Sequence, residues 1–173
     1  MAVEHSGPIA RLRDGTAVAG WMFKANPDVW DVLAFLRTGA EFDAWRMAPS
    51  YRVELVGPGH PCVLWVTGPA TSPYMPGVWA IGEVVSDRYE DVGDPDDPLW
   101  RDVGKRRQVR PYVQIRMTAL SEPVSRAELR EDEAFEQAEI LKRPRMGSPL
   151  ALRAEELAVI EARAGSPARR RRR

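Results

Sequence analysis

Tryptophan and glycine residues recur at the ends of predicted strands and helices between Trp21 and Val85, and this pattern constrains the fold most strongly. Five of the six tryptophans lie within about sixty residues. Short apolar segments alternate with turns at close intervals, which favours a compact β-structure over a layered βαβ sheet. The pattern predicts a small β-barrel whose aromatic side chains fill the core or form a pocket for a flat ligand. Trp21, Trp65 and Trp79 lie in apolar strands and are expected in the core.

The charge balance limits how the chain can meet a polyanion. A length of 173 residues suits one domain with a substantial core. Its 25 basic and 25 acidic residues give a formal net charge of zero. Without the five terminal arginines (169–173), 20 basic residues remain against 25 acidic ones, a net charge of −5. Bulk charge therefore does not attract nucleic acid, and binding requires a local patch or pocket.

Several classes of protein are disfavoured by what the sequence lacks. No segment approaches the roughly 18 consecutive apolar residues of a membrane span, and the N-terminus has no signal-peptide pattern. Cys62 has no second cysteine to pair with, and no histidine or cysteine cluster has metal-ligand spacing. Glycine-rich phosphate loops are also missing. We expect a soluble, cytoplasmic protein without a metal or cofactor and without a membrane partner.

Hydrophobic periodicity and capping residues predict an α+β fold, a small mixed β-barrel surrounded by short helices. A first helix is expected after Asn26 as its N-cap, with Pro27 at its first position. Ser125 and Glu128 form a capping box for a later helix, and a last helix is expected at 154–164. The predicted strands are 17–23, 41–47, 61–67, 78–85 and 108–120.

The chain divides into three parts by composition. Residues 1–16 are expected to form an extended lead-in, and residues 17–165 a single folded domain. The arginine-rich tail, 166–173, is expected to be disordered. Within the domain, the acidic and proline-bearing segment 87–102 is expected to be a solvated loop, with Trp100 fastening it to the rest of the protein.

Hydrolytic and redox chemistry find little support. His60 and Cys62 lie two residues apart, so both side chains approach one face of a strand, but no third group orients them. A buried thiol beside a turn histidine is the favoured interpretation. Proton-transfer candidates for a pocket are limited to Glu83, His60 and Asp43, and no catalytic residue is predicted.

Four segments, taken in order, resemble the EVE domain family. They are Phe23-Lys24-Ala25-Asn26-Pro27, the strand that contains Trp45, Leu64-Trp65-Val66-Thr67-Gly68, and Gly77-Val78-Trp79-Ala80-Ile81-Gly82-Glu83-Val84. A C-terminal motif that begins at Pro144 is also similar, and the resemblance spans about residues 18–162. It implies a PUA-like β-barrel related to the YTH domains, which read methylated adenine in RNA. It also implies recognition of modified bases in DNA or RNA, including modified cytosines.

The resemblance places Trp45 where the family has a stacking tryptophan. A modification on a base is readable once the base leaves the stack, and the flipped base is then held between aromatic planes. Stacking contributes on the order of 1–3 kcal/mol per base, which offsets the cost of unstacking. Strand alternation places Trp45 opposite to Phe42, so one side chain would enter the core while the other faces a cleft. A core position for Trp45 is the alternative.

Further pocket residues are predicted around Trp45. Asn26 matches a polar pocket position of the family, although it also suits a helix cap. Trp30 lies off the apolar stripe of its helix and is a candidate pocket wall. The loop at 67–74 crosses the pocket mouth in such folds, so its polar side chains are candidate readers of the base edge. The predicted pocket residues are Trp45, Asn26, Pro27, Trp30, Thr67, Ser72, Tyr74 and Arg145.

Two basic clusters are predicted to bind the flanking phosphates. The first comprises Lys105, Arg106, Arg107 and Arg110, and the second comprises Lys142 and Arg143 beside Arg145. A solvated surface is the alternative for either cluster. The arginine tail would add non-specific affinity for phosphates that falls steeply with salt.

Together these observations predict a non-catalytic binding module that recognises a modified nucleobase, with modified cytosine favoured, in DNA or RNA. A separate nuclease or modifying enzyme is the expected partner. Two alternatives remain open at this point. One is a protein–protein interaction module that uses the apolar loop at 73–76. The other is a small nucleic-acid-processing enzyme that uses one of the three proton-transfer candidates.

Overall fold

The computed structural model describes residues 9–165, so the arginine tail and the first eight residues lie outside the described part. The strands are β1 (Ala10–Arg11), β2 (Ala17–Val18), β3 (Gly20–Ala25), β4 (Phe42–Arg46), β5 (Pro61–Val66), β6 (Gly77–Val84), β7 (Tyr89–Asp91), β8 (Arg110–Ser125) and β9 (Leu150–Leu152). The helices are α1 (Val32–Arg37), α2 (Val103–Arg106), α3 (Arg126–Arg130), α4 (Glu139–Lys142) and α5 (Ala154–Ala164). Two 3₁₀ turns, Tyr51–Glu54 and Glu133–Phe135, complete the set.

The seven strands β3–β9 form one mixed sheet. Its strand order is β4-β8-β6-β5-β3-β9, and β3 and β5 are parallel. β7 pairs with the start of β8 on the edge opposite to β4, since both strands pair with Tyr112. The α+β class predicted from the sequence is confirmed. Closure into a barrel is not seen, because β4 and β9 at the two ends of this order do not pair within residues 9–165.

The short β9 explains why the sheet stays open. Pro149, directly before β9, has no amide hydrogen to donate, and α5 begins two residues after β9 ends. The strand therefore pairs with β3 at only three positions. Beyond the strands, the Ala48 amide donates a 2.8 Å hydrogen bond to the Ser148 carbonyl and so joins the two ends of the sheet.

Side chains of the central strands pack on both faces of the sheet. Trp21 and Leu64 enter a first core, whereas Met22 and Trp65, each one residue further along the chain, enter a second core beneath α5. Alternation along an extended chain produces this division. Trp21 and Trp65 are almost fully buried, which confirms their expected core positions, and Trp79 is half-buried.

Most predicted elements are found with shifted ends. The last helix spans the predicted residues, and the capping box of Ser125 and Glu128 is present at the start of α3. The predicted strand at 17–23 is divided into β2 and β3. The predicted start of the first helix was wrong, since Asp31 instead of Asn26 caps α1.

Two segments expected to be irregular contain structure. In the predicted lead-in, β1 pairs with β2, and Leu12 is buried in the first core. In the predicted acidic loop, β7 pairs with β8. In the described part of the chain, no helix has the length and apolarity that crossing a membrane requires.

Candidate functional site

A cavity of about 500 Å³ opens between β4, the turn before α1 and the segment that follows β7. Its aromatic wall comprises Trp30, Phe35, Phe42, Trp45, Trp100 and Tyr112. Trp45 is central to this wall. Its ring meets the Trp30 ring edge-on with 5.9 Å between centroids, and the Phe42 ring at 5.8 Å in the same manner. The predicted aromatic cluster thus exists as the wall of an open cavity.

The register of β4 explains why two of these rings lie together. Strand alternation predicted that Phe42 and Trp45 point to opposite faces, one into the core and one into a cleft. Phe42 is in the first core and Trp45 lines the cavity, but the opposite faces were wrong, because the two rings contact each other. The pairing of β4 with β8 shifts between Phe42 and Ala44, so strict alternation is not kept across that point. Both side chains consequently line the cavity, Phe42 buried and Trp45 half-buried.

The turn before α1 positions Trp30. The Asn26 side chain accepts a hydrogen bond from the Asp28 amide, and the Asn26 carbonyl accepts from the Val29 and Trp30 amides. Trp30 then forms an isolated β-bridge with Trp100, so the helix begins only after it. The Trp30 indole donates to the carboxylate of Asp97 over 2.8 Å. These contacts fasten the segment after β7 across the cavity.

Arg46 fastens the later part of the segment that follows β7. Its guanidinium donates to the carbonyls of Lys105 and Gln108 over 2.6 and 3.1 Å and lies 5.2 Å from the centre of the Trp100 ring. Burial lowers the pKa of Arg46, yet an arginine stays protonated in proteins. A fixed positive charge therefore lies in the cavity wall.

Several oxygen acceptors also face the cavity. Asp43 and Asp94 line it, and neither forms an ion pair within residues 9–165. The Lys24 ammonium, in contrast, donates to the carbonyls of Pro144 and Met146 over 2.6 and 2.7 Å. Burial lowers the pKa of Lys24. The cavity thus combines aromatic faces with carboxylates able to accept hydrogen bonds from a ligand.

Three of the predicted pocket residues line this cavity, and five do not. Trp45, Asn26 and Trp30 are in its wall. Outside it are Pro27, Thr67, Ser72, Tyr74 and Arg145. The loop at 67–74 closes on itself, since the Tyr74 hydroxyl donates to the Thr67 carbonyl over 2.8 Å. That loop also receives a hydrogen bond from Arg126 at the start of α3.

The predicted phosphate-binding residues fall into two places. Lys105 and Arg110 line the aromatic cavity, and Arg106 and Arg107 lie between them in sequence. Lys142 and Arg143 instead line a second cavity of about 400 Å³, near Tyr51. Only the first cluster thus lies next to the aromatic wall.

Sequence reasoning missed Arg46, Trp100 and Tyr112 as cavity residues. Trp100 was expected only to fasten the acidic segment, which it does through its bridge to Trp30. One signal in the sequence pointed to this role: Trp100, the sixth tryptophan, comes shortly before the basic cluster that begins at Lys105. Arg46 carried no such signal, because alternation from Trp45 would turn it away from the cavity.

The proton-transfer candidates do not converge on one site. Glu83 pairs with Arg116 over 3.3 Å, and His60 accepts hydrogen bonds from the Trp21 indole and the Gly57 amide. Cys62 is buried, and burial raises its pKa to about 12. Among the three candidates only Asp43 lines the cavity. In the described residues, no group of histidine, cysteine and carboxylate side chains is arranged to hold a metal ion.

Solved structures share this fold at low sequence identity. A Pseudomonas syringae protein is 21% identical and has a TM-score of 0.59, over 84% of this chain and 99% of its own. A Leishmania major protein is 17% identical with a TM-score of 0.59, over 90% of this chain and 98% of its own. The human THYN1 protein, in complex with DNA that contains 5-methylcytosine, is 14% identical. Its TM-score is 0.56, over 85% of this chain and 98% of its own.

Sequence comparison identifies the family directly. No curated protein matches the chain. The family model of the EVE domain, however, matches residues 19–163, which is nearly the whole described part. The order of motifs around Trp45, the mixed sheet and this match agree, and the chain therefore belongs to the EVE domain family.

Proposed function

We propose that the aromatic cavity binds a modified nucleobase, with modified cytosine favoured, presented by DNA or RNA. The observation that carries this proposal is the open cavity with the half-buried Trp45 at the centre of its aromatic wall. The human THYN1 protein, which has the same fold, forms a complex with 5-methylcytosine-containing DNA. That complex supports nucleic acid as the class of ligand.

The shape of the wall suits a flat ligand. Trp30 and Phe42 both meet Trp45 edge-on, which leaves the Trp45 ring buttressed from two sides. A ring held in this way presents its remaining face without a loss of side-chain entropy on binding. A base stacked on it would gain on the order of 1–3 kcal/mol. This gain offsets part of the cost of removing the base from its stack.

The polar wall suits a base that carries an exocyclic amine. Carboxylate oxygens accept hydrogen bonds from the amino group of cytosine. Asp43 and Asp94 are in the wall and form no ion pair within residues 9–165, so we propose them as acceptors. Asn26 is the third proposed reader of the base edge. Its backbone carbonyl accepts hydrogen bonds within the turn before α1, and its side-chain oxygen accepts one from the Asp28 amide.

Phosphate binding is assigned to the cluster beside the cavity. Lys105 and Arg110 line the cavity, and Arg106 and Arg107 lie between them in the sequence. We propose that these four residues hold the nucleotides that flank the bound base. We propose that the protein binds without catalysis and that a nuclease or modifying enzyme on another chain acts on the marked strand. The buried thiol of Cys62 supports the absence of thiol-based catalysis, because a thiol with a raised pKa is a poor nucleophile near neutral pH.

Fluorescence polarisation tests the proposal. The full chain is titrated with matched oligonucleotides whose central cytosine is unmodified, methylated or hydroxymethylated, at about 150 mM salt to suppress non-specific binding. We expect preference for a modified strand, and at least a tenfold loss in Trp45→Ala, as expected from one stacking contact.

The matched control is Trp79→Ala, because Trp79 is also half-buried but lies outside the cavity. Its affinity should equal that of the wild type. Equal weak binding of all probes, unaffected by Trp45→Ala, would show that the cavity does not read the base. Thermal unfolding of both variants distinguishes loss of contact from loss of fold.

A further inference from the structure

The edge of the aromatic cavity carries an unusual combination of exposed apolar and basic side chains. We call residues 103–110, which comprise α2 and the turn to β8, the rim segment. Val103 and Val109 in it are 50% and 57% exposed. Only two other large hydrophobic residues are exposed in the part of the chain that the structure describes, Ile9 and Met75. Two of these four residues thus belong to the rim segment.

The rim segment is positively charged and has few carboxylate partners. It contains four cations, and among them, within residues 9–165, only Lys105 forms an ion pair, with an oxygen of Asp102 3.9 Å from its ammonium. Arg106 and Arg107 form no ion pair in that range. A surface that is both apolar and cationic suits a partner with apolar and anionic parts. Stacked bases joined by phosphates have this character.

The rim segment is held in place rather than free. Asp102 caps α2 by accepting from the Lys105 amide. Arg46 binds two carbonyls of the segment from inside the cavity, and Arg110 enters β8, where it pairs with Asp91 of β7. Val109 itself is exposed outside the cavity lining, and its position is set by its two neighbours, Gln108 and Arg110, which do line the cavity.

The type of apolar side chain distinguishes the forms of nucleic acid. Binding of single strands uses successive aromatic side chains on which bases stack. The rim segment offers aliphatic side chains instead. A duplex that loses one base to a pocket contains a gap in its stack, and proteins that open stacks insert aliphatic or other apolar wedges. An aliphatic residue beside the cavity fits such a gap.

We propose that the rim segment selects duplex DNA. Val109 enters the stack at the position vacated by the base in the cavity, while Arg106 and Arg107 bind the flanking phosphates. This inference rests on the proposed base-binding function and adds the form of the nucleic acid to it. The wedge lowers the cost of removing the base, because it replaces part of the lost stacking contact.

The test compares a methylated duplex with the same methylated strand alone, using the full chain and fluorescence polarisation. Val109→Asp should weaken duplex binding about tenfold, since burial of the apolar side chain is lost and a carboxylate is set against phosphates. Binding of the single strand should change less than about twofold. The matched control is Met75→Asp, which alters an exposed apolar residue outside the cavity and should change neither affinity.

A second measurement reports the gap itself. With 2-aminopurine at the position next to the methylated cytosine in an otherwise matched duplex, the wild type should raise the fluorescence on binding, and Val109→Asp should raise it less at equal saturation. Arg106→Gln and Arg107→Gln should each lower the salt dependence of duplex binding by about one phosphate contact.

The outcomes separate the two proposals. Equal losses on duplex and single strand, or an unchanged duplex affinity in Val109→Asp, would overturn the inference and leave base binding in place. A protein that prefers neither methylated probe contradicts the proposed function and the inference with it. Both proposals are supported if Trp45→Ala weakens binding of the duplex and of the single strand, while Val109→Asp weakens binding of the duplex only.

Discussion

The thiol of Cys62 shows how strongly one side chain responds to its position in the sheet. Cys62 lies in β5 with its side chain in the first core, and its burial raises the pKa to about 12 from an ordinary value of 9.0. The charge of Glu83 on the paired strand acts in the same direction. The neighbouring His60 is already bonded to the Trp21 indole. Cys62 is therefore a structural thiol.

Alkaline unfolding tests this directly. The folded thiol keeps its proton as the pH rises above 9.0, whereas the unfolded thiol loses it, so stability is complete below pH 9.0 and falls between 9.0 and about 12. We expect the free energy of unfolding of the wild type to fall more steeply than that of Cys62→Ala, by about 1.4 kcal/mol per pH unit above pH 9. Urea unfolding at several pH values measures both slopes, and parallel slopes would contradict the raised pKa.

Single cavity residues were predictable where the sequence itself placed them beside a turn or a strand. Asn26 and Trp45 carried such signals, and both line the cavity. Trp100 and Tyr112 were not assigned to the cavity, because their places in its wall depend on long-range pairing of segments far apart in the chain. The orientation of Phe42 relative to Trp45 was mispredicted, because the register shift between β4 and β8 has no local sequence signal.

The rim segment owes its position largely to Arg46. This residue of β4 joins the segment through two carbonyls and the Trp100 ring, while the Arg101–Asp31 ion pair, 2.7 Å long, joins the preceding residues to α1. The cavity wall is thus an assembly of short elements connected by side chains. Such a wall opens locally when one connection is removed.

Arg46→Met should release the rim segment without unfolding the sheet. The methionine keeps the apolar stem but loses both hydrogen bonds, each worth about 1.5–3 kcal/mol for a charged donor. We expect faster amide hydrogen exchange at 103–109 and unchanged exchange in β5 and β6. The control is Arg116→Met, which removes an exposed arginine of β8 whose partner is Glu83. Equal exchange at 103–109 in Arg46→Met and wild type would show that other contacts hold the segment.

Elements with local signals were the most predictable. The capping box at Ser125 fixes the start of α3, and the apolar face of α5 fixes its extent. The start of α1 was misjudged because Trp30 bridges to Trp100 and stays extended there. A tertiary pairing thus overrode a good local cap, as packing commonly overrides propensity.

At the scale of the whole molecule, one ion pair connects distant parts of the chain. Arg52, in the first 3₁₀ turn, donates to both oxygens of Glu139 in α4 over 2.7 Å each. The same carboxylate accepts from the Ala151 amide of β9. Glu139 raises the pKa of Arg52, which is the expected effect of a bidentate partner. The helices after β8 are thereby fixed to the first half of the protein.

Removal of one partner should cost more than removal of both. Arg52→Met leaves Glu139 in a largely covered position without its counter-ion, and we expect a loss of about 3 kcal/mol in the free energy of unfolding. Arg52→Met combined with Glu139→Leu should lose less, because no unpaired charge remains. Urea unfolding of the two single variants and the double variant measures the coupling, and strictly additive losses would argue against a coupled pair.

The sequence predicted the class of fold correctly but not whether the sheet closes into a barrel. Alternating apolar strands and turns determine an α+β fold with a central sheet, because burial on both faces requires such a pattern. Closure depends on whether β9 reaches β4, and the three residues available after Pro149 are too few. No periodicity in the sequence reports a missing strand pair.

The cavity walls come from three stretches of chain, at about 24–48, 93–112 and 148, which meet only after the sheet has formed. No fragment of the protein contains the site, so an unfolded chain has no affinity for the ligand to lose. Occupancy and folding are consequently one linked equilibrium, in which ligand at a hundred times its Kd adds about 2.7 kcal/mol to stability. If the cavity binds a modified base as proposed, the lifetime of the protein in a cell would then depend on the abundance of that base.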